Sequence, residues 1–284
     1  MGKIFETLES LGLAATETTE VYSKKTRDIP GLTVYKDTNS EVIHIDDYMP
    51  DLAVYMKGEY HRGGVNYERY TDATRREESF KEHYIGLDVL DFGCGEGIFL
   101  ERIGSKAKSI IGVEVEERCV SGLNDKGIRC VKSLPDIDNE SLDSIFMFHV
   151  LEHLPEPIEM LPALRDKLRP GGSLIVEVPH ARDFLLYSLG LDAFKDFTLW
   201  SQHLMLHTRE SVRRFLVESG FQIGVIYGQQ RYSLANHMTW AAKQKPGGHK
   251  GPLHWLDTPE LNRIYGETLA KSDQTDTLIA IAKK

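Results

Sequence analysis

No run in this chain of 284 residues approaches the ~18 consecutive apolar residues of a membrane-spanning helix. Met1 to Thr16 lacks the basic start and apolar centre of a secretory leader. Both absences predict a cytoplasmic protein. Cysteine is scarce: Cys94, Cys119 and Cys130 form no CxxC pair and no even-numbered set, which excludes a disulfide framework and a cysteine-held zinc cluster. Positive charge is also short, with 34 Lys and Arg against 43 Asp and Glu and a formal net charge of −9. Such a surface repels a phosphate backbone, so the composition predicts a small-molecule acceptor and no nucleic-acid partner. A local exception is the basic cluster Lys243, Lys245, His249 and Lys250, which could meet a single phosphate or pyrophosphate. Repeats and low-complexity tracts are absent, and hydrophobic content of 41% with 27% charged residues is ordinary globular usage.

From Leu87 onward, short β-branched apolar runs alternate with helical patterns, the mark of an α/β fold with a mostly parallel sheet. The strand candidates are Asp88 to Phe92, Ser109 to Glu114, Ile128 to Val131, Ser144 to Phe148 and Ser173 to Val178, with late strands at Phe221 to Tyr227 and Thr277 to Ala282. Helices are expected at Ile98 to Ile103 and Glu117 to Asn124. Another is expected along Ile158, Leu161, Leu164 and Leu168 until Arg169-Pro170-Gly171-Gly172 stops it. Thr208 caps a further helix that Gly220 ends. Residues 1–85 are charged and tyrosine-rich and read as an N-terminal extension packed on the core domain of residues 86–284, with short strands at Leu32 to Tyr35 and Val42 to Ile45. Residues 229–272 read as a helical insertion before the last strand, beside the substrate mouth of a doubly wound sheet.

The strongest motif is Val89-Leu90-Asp91-Phe92-Gly93-Cys94-Gly95-Glu96-Gly97, an apolar strand entering a glycine-rich turn and then a helix. Glycines suit a turn where a ligand lies against bare backbone. The next strand ends at Glu114, where a carboxylate can accept hydrogen bonds from both ribose hydroxyls of an adenosine. A nicotinamide or flavin fold expects G-x-G-x-x-G, which would put its third glycine at Ile98; this chain has Gly97 instead.

These residues resemble the class I S-adenosylmethionine-dependent methyltransferase family across roughly Leu87 to Gly224. The likeness includes Gly112-Val113-Glu114, the run from Leu142-Asp143-Ser144-Ile145 to Phe148-His149-Val150-Leu151-Glu152-His153-Leu154, and Leu168-Arg169-Pro170-Gly171-Gly172. It implies a Rossmann-like seven-stranded sheet with helices on both faces and S-adenosyl-L-methionine as cofactor. By position, Asp91, Phe92, Gly93, Cys94, Gly95 and Gly97 back the methionine part of the cofactor, Glu114 and Val115 hold the ribose, and Ser133 and Leu134 cover the adenine. Phe148 and His149 fall close to the sulfonium.

Methyl transfer is an in-line displacement that needs an aligned acceptor and often a base. Gln202-His203-Leu204, with Thr208 and the helix to Gly220-Phe221, resembles the Glu-His arrangement of sugar methyltransferases, which makes His203 the expected base; Gln202 stands where that pattern has an acid. His149 and Glu152 are further catalytic candidates, with Glu177 and His180 behind them. His149-Val150-Leu151-Glu152-His153 also matches H-x-x-E-H, but it follows a strand and so short a pattern recurs by chance. No metal is expected, and His153 is read as capping or packing. The flanks from Tyr22 to Tyr60, with Gln230-Arg231-Tyr232 and Asn236-His237, resemble members of this family from bacterial surface-polysaccharide biosynthesis clusters. The N-terminal part is similar to the zinc-ribbon lead-in of sugar C-methyltransferases, without its cysteines. The expected acceptor is therefore a small polar molecule, a sugar or nucleotide-linked sugar whose pyrophosphate Arg231 and the basic cluster would hold. A quinone- or phenol-type acceptor and a non-catalytic cofactor-binding partner protein stay open as alternatives.

Overall fold

The computed structural model describes residues 2–46, 48 and 67–284, so part of the segment read from Tyr22 to Tyr60 lies outside the described residues. In chain order the strands are β1 Thr19–Lys25, β2 Pro30–Asp37, β3 Ile43–His44, β4 Asp88–Phe92, β5 Ser109–Val113, β6 Cys130–Val131, β7 Leu142–Phe148, β8 Leu168–Pro179, β9 Met205–Leu206, β10 Gln222–Gln229 and β11 Thr277–Lys283. The helices are α1 Lys3–Ser10, α2 Tyr67–Ser79, α3 Ile98–Ile103, α4 Glu117–Asp125, α5 Pro157–Lys167, α6 Phe184–Tyr187, α7 Asp192–Thr198, α8 Arg209–Glu218, α9 Leu234–Lys243 and α10 Pro259–Lys271.

Seven strands form one sheet in the order β10-β11-β8-β7-β4-β5-β6, and only β11 runs against the rest. This is the Rossmann-like, mostly parallel sheet expected from the alternating pattern. Period-2 alternation gives each central strand two buried faces. Leu90, Ile145, Met147, Leu174 and Val176 point into one apolar cluster, while Val89, Phe146, Phe148 and Ile175 point into the other. On that second face Phe99 meets Phe146 and Phe148 edge-on, with centroids 5.0 and 5.1 Å apart. Such pairs add about 0.5–1.5 kcal/mol each beyond area burial.

The helix read through Leu168 ends at Lys167, and β8 starts at Leu168 instead of Ser173. Arg169 is drawn along the sheet because its guanidinium reaches Asp143 at 2.7 Å and Asp88 at 2.9 Å. A second sheet, β1-β2-β3-β9, takes its last strand from the core chain. Its apolar side packs Val34, Ile43 and Ile45 against Ala181, Leu199 and Leu206. Asp28 accepts hydrogen bonds from the Ser201 amide (3.0 Å) and hydroxyl (2.6 Å), and the Ile45 amide donates to the Leu204 carbonyl at 3.0 Å. The N-terminal sheet thereby fixes the loop that carries His203. The insertion before β11 contains α9 and α10. Among the described residues, no helix is long and apolar enough to cross a membrane.

Candidate active site

The strand order reverses between β4 and β7, and a crevice opens at their carboxyl ends, where open α/β sheets bind ligands. It holds a cavity of about 310 Å³, within the range of small-molecule sites. Asp91, Gly93, Cys94, Gly95, Gly97, Phe148 and His149 line it. Gly93 has φ +77° and Gly97 φ +74°, a backbone conformation that L side chains rarely adopt. A Cβ on Gly93 would drive into Val150, and one on Gly97 into Leu123. The glycines thus let Val150 and Leu123 pack against the turn while its backbone lines the cavity, and the donor set there fits the charges of S-adenosylmethionine. Arg69 and Arg76 offer cations for a carboxylate, and Asp91 offers an acid for an ammonium group.

Five other residues expected at the cofactor are not among those that line this cavity. Phe92 and Leu134 pack into the apolar core, and Ser133 hydrogen-bonds Asp136 at 3.2 Å. The Glu114 carboxylate is turned onto backbone, accepting from the amides of Gly95 (2.8 Å), Val115 (2.7 Å) and Glu116 (3.0 Å). Here Glu114 and Val115 shape the glycine turn, with the carboxylate acting as its brace.

Sequence reasoning missed one whole wall. Arg69, Asp72, Ala73 and Arg76 of α2 face the cavity from a single helical face. Their i, i+3, i+4 spacing was the available signal, but α2 is polar nearly all round and shows no apolar stripe. Arg231 closes the same wall from the insertion.

His149 stands at the centre. It follows β7 in the left-handed region at φ +56°, a position that costs a non-glycine residue about 1–2 kcal/mol. Its ring nitrogens lie 3.2 Å from Glu152 Oε1 and 3.1 Å from Glu177 Oε1, two carboxylates with no exposed side-chain surface. Burial and Arg231 oppose a charge on His149, yet the hydrogen bonds to Glu152 and Glu177 outweigh them and raise its pKa. Burial alone would raise the pKa of Glu177. Arg76, His149 and Arg75 reverse that and hold it well below the usual carboxylate range. The Arg75 and Arg76 guanidiniums each reach Glu177 Oε1 at 2.8 Å.

A second cavity, of about 210 Å³, adjoins the first through the shared walls His149 and Arg231. His203 lines it with Arg27 and the aromatic rings of Phe194, Phe197, Tyr232 and Trp240. Burial, with His153 beside it, pushes His203 down to about 3, so this imidazole stays neutral and is a weak base. Glu152 lines neither cavity and lies behind His149. Gln202 is turned away, donating to the Tyr48 hydroxyl at 3.0 Å and to Ser201 at 3.1 Å. His180 is buried against the Thr275 carbonyl.

The chain matches the methyltransferase domain family over residues 65–224, more than half its length. A tRNA U34 carboxymethyltransferase of Pseudoalteromonas atlantica is 29% identical over 156 residues, which is 49% of this chain and 46% of that protein. One from a Shewanella species is 30% identical over 139 residues, or 43% of this chain and 41% of that protein. The chain thus spans under half the length of these curated relatives. The crystal structure of a SAM dependent methyltransferase from Archaeoglobus fulgidus aligns with a TM-score of 0.54 at 23% identity, covering 80% of this chain and 97% of that one, and shares the fold.

The relatives' names overturn the expected acceptor, a small polar molecule such as a sugar or nucleotide-linked sugar, together with its quinone or phenol alternative. The exclusion of nucleic acid falls with it, and the likeness to surface-polysaccharide members finds no support in these relatives. Net charge averages the whole surface and so does not exclude a partner that meets one face. Pro246 lines the second cavity, and beside it Lys243, Lys245 and Lys250 are exposed. The family match and the glycine cradle together place this chain in the methyltransferase domain family, with S-adenosylmethionine as its cofactor.

Proposed function

We propose that this chain, acting in the cytoplasm, transfers the donor's one-carbon group to a base in RNA, with tRNA the class to which its relatives' names point. One observation carries the reading. The cavity next to the cofactor cradle has aromatic faces in Phe194, Phe197 and Trp240, cations in Arg27 and Arg231, and a lysine-bearing rim. Enzymes that act on a base extrude it into such a pocket, stacking it on aromatic side chains while basic residues take the phosphates.

When bound, the cofactor supplies an electrophilic methyl group on its sulfonium. The chain's own residues then align the acceptor. His149 borders both cavities, and with a carboxylate on each ring nitrogen it is held protonated, a fixed positive charge beside the acceptor. Glu177 and Glu152 fix its ring from either side. His203, kept neutral, offers the acceptor a hydrogen bond. Arg27 stacks over the Trp200 ring at 4.5 Å, which holds the wall bearing His203.

The test is incubation of the purified chain with methyl-labelled S-adenosylmethionine and bulk tRNA, followed by digestion and mass analysis of nucleosides. A nucleoside that carries the label at the mass of one added methyl group supports the reading. Label that stays out of RNA while the cofactor binds would overturn it.

A further inference from the structure

We propose that Glu152, His153 and His203 form a binding site for one divalent transition-metal ion, with zinc the cation their donors suit best. One ligand atom from each of the three lies within 4.8 Å of the others. Two imidazoles and one carboxylate are a recurrent zinc set that leaves a coordination position open. The surroundings prepare each donor. His153 Nδ1 donates to the Gln202 carbonyl at 2.7 Å, which leaves the lone pair on Nε2, the atom 4.0 Å from Glu152 Oε1. A backbone carbonyl on the far nitrogen is the usual outer partner of a metal-bound histidine. Glu152 is fully buried; its Oε1 takes the His149 ring, while Oε2 has no hydrogen-bond partner. His203 Nδ1 is also buried without a partner. A buried carboxylate oxygen and a buried imidazole nitrogen without hydrogen-bond partners, on residues this close together, are costly in an apolar setting and ordinary around a cation.

The elements that converge here are separate in sequence. Glu152 and His153 sit in the turn after β7, and His203 in the loop before β9. The Leu204 amide, donating to the Glu152 carbonyl at 2.8 Å, holds the two together. His203 also lines the acceptor cavity, so the ion's open position would lie beside the acceptor. The site stands apart from the acceptor's identity and is tested without activity.

The full chain is stripped with chelator and dialysed against zinc, and bound metal is counted; cobalt is then substituted and its visible spectrum recorded. One ion per chain, with the intense bands of four- or five-coordinate cobalt, is expected. His203→Ala and His153→Ala should each weaken binding at least tenfold. The absence of stoichiometric metal in the native chain would overturn the proposal. So would equal binding by both variants, or a near-ultraviolet thiolate band, which would put the ion on Cys94 and Cys130, whose sulfurs are 3.9 Å apart.

Discussion

Arg231 and Asp72 form a bidentate ion pair that joins the insertion before β11 to α2 at the wall of the cofactor cavity. Arg231 Nε donates to Asp72 Oδ1 at 3.0 Å and a terminal nitrogen reaches Oδ2. Both side chains are largely buried, at 19% and 13% exposure. Removing Arg231 leaves the buried Asp72 carboxylate with Arg75, at 3.3 Å, as its remaining partner, at a cost of about 1–3 kcal/mol. Arg231→Met should therefore lower the melting temperature by a few degrees and weaken S-adenosylmethionine binding about tenfold. Calorimetry on the variant checks both, and unchanged values would mean that the pair neither closes nor supports the cavity.

Asp91 gives the cavity a pH dependence. Burial raises its pKa to about 7, with Glu114 adding to the effect and Arg76 opposing it. The fold favours the protonated acid, so this group's stabilisation is complete below about pH 4 and is lost as pH rises through about 7. Native protein should lose stability from pH 5 to 8, and Asp91→Asn should flatten that slope. A cationic cofactor favours the carboxylate, so its affinity should rise by at most about tenfold between pH 6 and 8. Thermal melts and titrations at these pH values provide the test.

Glu114 braces the glycine turn from three amides. Glu114→Ala leaves the Gly95 amide without its acceptor and should weaken cofactor binding at least tenfold. The melting temperature should change by only a few degrees, because the carboxylate is partly exposed. A variant that binds normally would separate the turn's shape from this residue.

Trp240 faces the acceptor cavity and is absent from the cofactor cavity. Trp240→Ala should raise the acceptor KM about tenfold through lost stacking of about 1–3 kcal/mol. Cofactor affinity should be unchanged. A loss on the cofactor side instead would show that the ring supports the fold more than the acceptor.

The sheet was legible because its strands carry local signals. The run from Val89 to Gly97 contains an apolar strand, a turn only glycine tolerates, and a helix start, and Asp88–Phe92 forms as read. What stayed hidden depends on tertiary placement. Arg69, Asp72 and Arg76 sit on a polar helix with no apolar stripe, so nothing local marks them as a cavity wall. Glu114 lies one residue past the end of β5, and its position alone does not reveal that its carboxylate has backbone amides within reach and bonds them. Likewise, Glu152, His153 and His203 meet only because β9 is stitched to β3 and to the turn after β7. The short pattern around His153 could not reveal that the third donor arrives from 50 residues further along.

The most direct measurement is calorimetric titration of S-adenosylmethionine and S-adenosylhomocysteine into the native chain and into Gly93→Ala, whose added methyl would collide with Val150. The account predicts one site per chain of micromolar affinity for both ligands, lost in the variant while its circular dichroism is kept. No heat with either ligand in the native chain, or equal binding by the variant, would contradict it.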